Sequence, residues 1–142
     1  MTKRILLHCC CAPCAIFPIQ SLQAQGFEIT ALWWNFNIHP FQEYEKRRQT
    51  LVEYCQQKNI NLIEKQSYLL QDYLRSVAFR ESQRCFICYQ RRLEETAAIA
   101  RNGKFDYFST TLLYSKFQKH ETIRELGEAA AKRFSTTFYY ED

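Results

Sequence analysis

The chain has 142 residues, of which 46% are hydrophobic and 24% are charged, and its formal net charge is +4. These values are ordinary for a single globular domain that is long enough to bury a core. The small positive surplus permits an anionic partner without requiring one. The seven cysteines, an odd number, argue against a closed set of structural disulfides.

The first apolar run, residues 5–7, follows Lys3 and Arg4 and ends at His8. Three residues are far too few for the core of a signal peptide or for a membrane span. We therefore expect a cytoplasmic protein with no membrane partner, in which thiols stay reduced and disulfides are rare.

The first half of the chain predicts three strands that alternate with two helices. Pro13 suits the first turn of a helix, and Gly26 supplies the stop at its end. The second helix has apolar residues at spacings of three and four. We predict strands over 3–8, 27–34 and 60–64, a loop over 35–40, and helices over 13–25 and 41–57.

The second half begins with residues 66–83, which we predict to be a loop followed by a helix near 71–80. A long helix then begins around Cys85 and ends at Asn102 and Gly103, because apolar residues recur along it with helical spacing. The remaining predicted elements are a strand over 105–108, a loop over 109–116, a helix ending near 133 and a short strand over 137–140.

Strands that alternate with helices in this way indicate an α/β fold with a parallel sheet and helices on both faces. Ligands of such folds bind beyond the carboxyl ends of the strands. The loops 9–14, 35–40 and 109–116 follow the first, second and fourth predicted strands. We therefore expect their side chains to converge at one edge of the sheet.

Two groups of cysteines point to metal or redox chemistry. Cys10 and Cys11 are adjacent, and a disulfide between neighbours is strained, so two thiolates on one loop suit a metal better. Cys85 and Cys88 have the spacing that puts two sulfurs on one side of a helix start. Four such thiolates suit an iron–sulfur cluster or zinc. An adjacent Cys-Cys pair combined with a distant Cys-x-x-Cys is not the usual zinc-ribbon pattern of two Cys-x-x-Cys knuckles, and this favours iron–sulfur.

Two other interpretations of the cysteines stay open. Cys11-Ala-Pro-Cys14 follows a strand and opens a helix, which resembles a thioredoxin-type redox motif, although this leaves Cys10 and the later pair without a role. A non-catalytic module that binds zinc or a cluster is the second. Cys55 lies on an apolar helical face and Cys9 sits beside the ligands, so we predict both to be packing residues.

Basic and aromatic side chains near the loops suit an RNA partner, although most basic clusters are solvated faces and most aromatics beside a strand belong to a core. The basic candidates are Lys46, Arg47, Arg91 and Lys116. The aromatic candidates are Trp33, Trp34, Phe36, Tyr89 and Tyr114.

Several motifs resemble the QueH family of epoxyqueuosine reductases, in the family's order and along essentially the whole chain. The first is residues 6–14 (Leu-Leu-His-Cys-Cys-Cys-Ala-Pro-Cys). The others are residues 37–40 (Asn-Ile-His-Pro), 84–89 (Arg-Cys-Phe-Ile-Cys-Tyr) and 110–113 (Thr-Thr-Leu-Leu).

The resemblance implies a cobalamin-independent enzyme that reduces epoxyqueuosine to queuosine at the wobble position of tRNA, with electrons from an unidentified donor. It implies a Rossmann-like fold of the adenine nucleotide alpha-hydrolase type. It also implies a [4Fe-4S] cluster and an additional iron, for which Cys14 is our candidate ligand or redox thiol. The implied cluster ligands are Cys10, Cys11, Cys85 and Cys88.

Members of the family usually continue further and carry a Cys-x-Cys pair in that tail, which is taken to form a redox-active disulfide. The present sequence stops at Asp142 without such a pair. We therefore expect residues 1–142 to form a single α/β iron–sulfur domain that lacks the tail.

Overall fold

The computed structural model describes residues 2–10, 12–34, 41–65, 84–114 and 120–140, with the backbone alone at 41 and 84–88. Within these ranges, no helix is long and apolar enough to cross a membrane. The elements are β1 (Arg4–His8), α1 (Ala12–Ala24), β2 (Glu28–Trp33), α2 (Phe41–Lys58), β3 (Asn61–Glu64), α3 (Arg84–Asn102), β4 (Tyr107–Thr110), a 3-10 turn (Thr111–Tyr114) and α4 (His120–Arg133).

The four strands form one parallel sheet in the order β3-β2-β1-β4. Leu6 at the centre of β1 pairs with Thr30 on one side and with Phe108 on the other. The chain moves outward from β1 to β3 and then returns to place β4 on the opposite side of β1. The sheet therefore has its topological switch point between β1 and β4, where open α/β folds bind their ligands.

Alternate side chains of β1 enter two separate hydrophobic clusters. Ile5 and Leu7 pack with residues of α1 and α2, whereas Leu6 packs with residues of α3 and α4. All three side chains are completely buried. The predicted parallel sheet with helices on both faces is confirmed.

Two element ends bear on the site. Gly26 has a φ of 93°, which confirms the predicted glycine stop after α1. β4 begins at Tyr107, two residues later than predicted, because the amide of Phe105 donates to Ala100 O at 2.9 Å and so completes the end of α3. As a result Ser109 and Thr110 belong to the strand, whereas the sequence predicted them to be in a loop.

The predicted last strand, 137–140, is wrong as a regular strand. Phe138 forms an isolated parallel bridge with Phe108 of β4. The amide of Phe108 donates to Thr137 O at 2.9 Å, and the amide of Tyr139 donates to Phe108 O at 2.8 Å. The segment covers part of the outer edge of β4. The predicted loop over 35–40 and the predicted helix near 71–80 lie outside the described residues.

A completely buried histidine links three strand ends at the carboxyl edge of the sheet. The Nε2 of His8 lies 3.1 Å from Trp34 O, and its Nδ1 lies 3.0 Å from the Oγ1 of Thr110. A carbonyl oxygen only accepts hydrogen bonds, so we assign the proton to Nε2 and the acceptor role to Nδ1. The hydroxyl of Thr110 then donates to His8 and accepts from the amide of Leu112 at 3.2 Å.

Replacement of His8 tests this link. His8→Leu should lower the free energy of unfolding by about 2–4 kcal/mol, because it removes the ring nitrogens that satisfy a buried carbonyl and a buried hydroxyl. His8→Gln, which keeps a donor and an acceptor, should lose clearly less. Urea denaturation followed by tryptophan fluorescence measures both variants, and a His8→Leu protein as stable as the wild type would contradict the assignment.

Candidate active site

Buried polar side chains gather where β1 and β4 end. His8, Ser109, Thr110 and Thr111 are each at most 2% exposed. They lie at the switch point, the place where the topology predicts a ligand crevice. From the sequence, His8 was only the end of the first predicted strand, and the two threonines fell in a predicted loop. The signal that it lacked was the pairing of β1 with β4.

Thr111 contacts both the backbone and the side chain of Cys10. The amide of Cys10 donates to the Thr111 Oγ1 at 3.4 Å, and the same hydroxyl lies 3.6 Å from the Cys10 Sγ as its hydrogen-bond donor. Cys10 is half-buried, whereas Thr111 is buried. The thiol of Cys10 therefore belongs to a half-buried residue at the switch point and lies beside a buried donor.

Cys9 and Cys55 are packing residues, as predicted. Cys9 is completely buried and its Sγ lies 3.4 Å from Leu7 O. Burial raises the pKa of the Cys9 thiol well above its usual value and raises the pKa of Cys55 to about 11. Both side chains therefore stay protonated at neutral pH, which agrees with a packing role.

Cys14 lies in the first turn of α1 and is exposed. Cys11 lies outside the described residues. The redox pairing of Cys11 with Cys14 therefore stays a prediction, as does the role of Cys14 itself.

The start of α3 reaches the same edge of the sheet. The C-terminal end of α3 lies beside the start of β1, because the Nη1 of Arg4 donates to Gly103 O at 3.1 Å. The 19 residues of α3 span about 28 Å, whereas β1 and its extension to Cys10 span about 20 Å. Because α3 leads into β4, which runs parallel to β1, its first turns, which include Cys85 and Cys88, lie towards the carboxyl edge of the sheet, the edge of Cys10.

Tyr89 supports this placement. It directly follows Cys88, is 5% exposed and belongs to the same cluster as Trp34 and Leu112, which follow β2 and β4. The backbone at 84–88 is helical, and the first amides of a helix attract negative charge. Thiolates placed at such a helix start gain electrostatic stabilisation.

The complete ligand set is only partly visible. Among the residues whose side chains are described, no three His, Cys, Asp or Glu side chains converge on one point. The side chains of Cys11, Cys85 and Cys88 lie outside that set. The four-cysteine site with Cys10 therefore stays a prediction, which the convergence of the backbone segments supports.

The aromatic candidates divide into core and edge residues. Trp33, Trp34 and Tyr89 are at most 6% exposed, so they belong to the core. Tyr114 is half-buried and packs edge to face with Phe17, with 6.1 Å between the ring centroids. Phe17, which the sequence analysis did not single out, is 65% exposed on α1. Phe36 lies outside the described residues.

The basic candidates also differ in their surroundings. Lys46 is exposed, Arg91 is half-buried, and Arg47 pairs with Glu43 at 2.7 Å. Arg92, the neighbour of Arg91, is only 6% exposed and so does not belong to a solvated face. Lys116 lies outside the described residues.

A comparison with solved structures supports the fold. The chain resembles the crystal structure of a predicted subunit of tRNA methyltransferase from Methanocaldococcus jannaschii, with a TM-score of 0.62 over 97% of this chain and 66% of that chain. The identity is 10%, so the likeness concerns the fold alone. It agrees with the Rossmann-like arrangement expected from the sequence.

Sequence comparisons identify the family. The model of the family described as epoxyqueuosine reductase QueH matches residues 5–142. Epoxyqueuosine reductase QueH of Dehalococcoides mccartyi is 37% identical over the whole chain and 78% of its own length. The QueH of Streptococcus pyogenes serotype M1 is 32% identical over 97% of this chain, which spans 58% of that relative. The chain therefore belongs to the QueH family of epoxyqueuosine reductases, which are oxidoreductases.

Proposed function

We propose that this chain reduces epoxyqueuosine to queuosine at the wobble position of tRNA, without cobalamin and with a [4Fe-4S] cluster. The proposed ligands are Cys10, Cys11, Cys85 and Cys88. The observation that carries the proposal is that this chain of the QueH family has a topology that directs both Cys10 and the start of α3 towards the carboxyl edge of the sheet.

The described surroundings of Cys10 fit a thiolate-bound cluster. Its sulfur has the Thr111 hydroxyl as a donor, and it is half-buried, which limits the access of water. Cysteine sulfurs are soft ligands that suit iron–sulfur clusters, and hydrogen bonds to such sulfurs are a regular part of these sites. Zinc with the same four thiolates is the alternative metal, and thiol–disulfide exchange by Cys11 and Cys14 is the alternative chemistry.

The reaction sets clear requirements on the site. Both C–O bonds of the epoxide break, a C=C bond forms, and the oxygen leaves as water after taking up two electrons and two protons. When bound, a cluster with an adjacent iron supplies electrons one at a time and polarises the epoxide oxygen as a Lewis acid. The second electron requires a further redox group. We propose a thiol pair that is oxidised to a disulfide, with the thiol of Cys14 as one member and a second thiol of the chain or of the donor as the other. An external donor completes the balance.

The tRNA substrate fits the exposed part of this edge. Phe17 projects from α1 one turn after Cys14 and packs against Tyr114, which ends the turn that begins with Thr111. Aromatic rings of this kind stack on unpaired bases such as those of an anticodon loop. The net charge of +4 also favours a polyanion. Both the substrate and the reduced thiols belong to the cytoplasm.

The metal site can be tested by composition after anaerobic purification. The wild type should be brown and contain about four sulfides and at least four irons per chain, since the proposed additional iron adds to those of a [4Fe-4S] cluster. Cys10→Ser and Cys88→Ser should each lose most of the iron and the colour. Cys55→Ala, which removes a buried thiol away from the crevice, is the matched control and should keep both. A colourless wild type that holds zinc and no sulfide would refute the cluster.

The activity needs a separate test. Transfer RNA from cells that depend on this chain should contain queuosine, as measured by mass spectrometry of the nucleosides. Cys14→Ser should retain iron and sulfide while epoxyqueuosine accumulates, because the variant loses the proposed second redox group. Persistent epoxide with the wild type would rule out activity of this chain alone, and queuosine with Cys14→Ser would exclude the redox role of Cys14.

A further inference from the structure

The contact between Thr111 and Cys10 bears on the reduction potential of the proposed cluster. We infer that Thr111 is a positioning residue, whose hydroxyl donates to the Cys10 sulfur and thereby raises the reduction potential of the cluster bound there. This inference rests on the proposed function, since it requires Cys10 to be a cluster ligand.

The geometry lets one hydroxyl make both contacts at once. A threonine hydroxyl has one hydrogen to donate and two lone pairs that accept. In this site the Thr111 Oγ1 lies 3.6 Å from the Cys10 Sγ, to which it donates its hydrogen. The same oxygen accepts a hydrogen bond from the Cys10 amide nitrogen at 3.4 Å. Thr111 therefore fixes both the backbone and the sulfur of the same residue.

The hydroxyl is also held in place from its own side. Thr111 is 1% exposed, so water competes little for its hydrogen. It begins the 3-10 turn directly after β4, and Thr110 before it is bonded to the buried ring of His8. A β-branched side chain has few χ1 rotamers, which further limits the direction of the hydroxyl.

Such a hydrogen bond affects the two oxidation states unequally. Reduction adds one negative charge to the cluster and its sulfurs, so a donor on a sulfur stabilises the reduced form more than the oxidised form. Hydrogen bonds to the sulfurs are among the features that set cluster potentials. The low dielectric of a buried site strengthens the effect. Among the described cysteines, Cys9 differs, because its own thiol donates to Leu7 O.

A purely structural role for Thr111 predicts a different result. Thr111→Val keeps the shape and removes the hydroxyl, whereas Thr111→Ser keeps the hydroxyl and removes a methyl group. If Thr111 only fills space, Ser should disturb the site more than Val. If its hydroxyl tunes the cluster, Val should shift the potential and Ser should not.

The experiment is a potentiometric titration of the anaerobically purified full chain, followed by the electron paramagnetic resonance signal of the reduced cluster. Thr111→Val should lower the ratio of reduced to oxidised cluster about tenfold at a fixed applied potential. For a one-electron couple this corresponds to a midpoint potential that is about 59 mV more negative. Thr111→Ser should titrate like the wild type. Thr30→Val, the same change at a buried threonine in the middle of β2, is the matched control and should also titrate like the wild type.

Iron and sulfide contents separate the two levels of the proposal. A wild type without iron and sulfide overturns the proposed function, and this inference with it. Full cluster content with an unshifted potential in Thr111→Val overturns the inference alone. A midpoint potential of Thr111→Ser that shifts as far as that of Thr111→Val also overturns it. If the Val variant binds its cluster poorly, a shift of about 59 mV between Thr111→Ser and the wild type still overturns it.

Discussion

The parallel pairing of β1 with β2 on one side and with β4 on the other determines where the chemistry-bearing side chains lie. Because β1 is central, the residue that ends it meets the ends of both neighbours. His8 occupies that position, and its ring bonds Trp34 after β2 and Thr110 at the end of β4. The partners of His8 are 26 and 102 residues away in the sequence, so this ring joins parts of the chain that only the folded sheet brings together.

The same geometry gives two adjacent cysteines opposite characters. The amide of Cys9 donates to Leu32 O at 3.0 Å and so continues the ladder between β1 and β2 by one residue. Side chains alternate along a strand, so Cys9 falls on the face of Ile5 and Leu7 and is buried with them. Cys10 comes after the ladder ends and turns towards Thr111. Cys9 therefore packs in the core because it still belongs to the ladder, whereas Cys10, one residue later, is a candidate ligand.

The sequence predicted the sheet well because alternating apolar runs and helical spacings are local signals. It also predicted Cys55 as a packing residue from its apolar helical face, and Cys9 as a packing residue beside the proposed ligands. It placed Thr110 in a loop, since no local pattern separates a buried, bonded polar group from a solvated one. The partner of Thr111 lies 101 residues away, and only the switch point between β1 and β4 reveals that contact.

This arrangement couples the proposed site to the stability of the fold. Cys10 follows the first strand, whereas Cys85 and Cys88 begin the helix that leads to β4. A metal group held by both segments would therefore bind the native sheet and not the unfolded chain, so its binding free energy would add to folding stability. The buried hydrogen bonds of His8 and Thr111 do not depend on a metal, because they fix the strand ends and Cys10 through protein contacts alone. The protein-only contacts thus preorganise the Cys10 half of the proposed site, which the proposed ligands from α3 would complete.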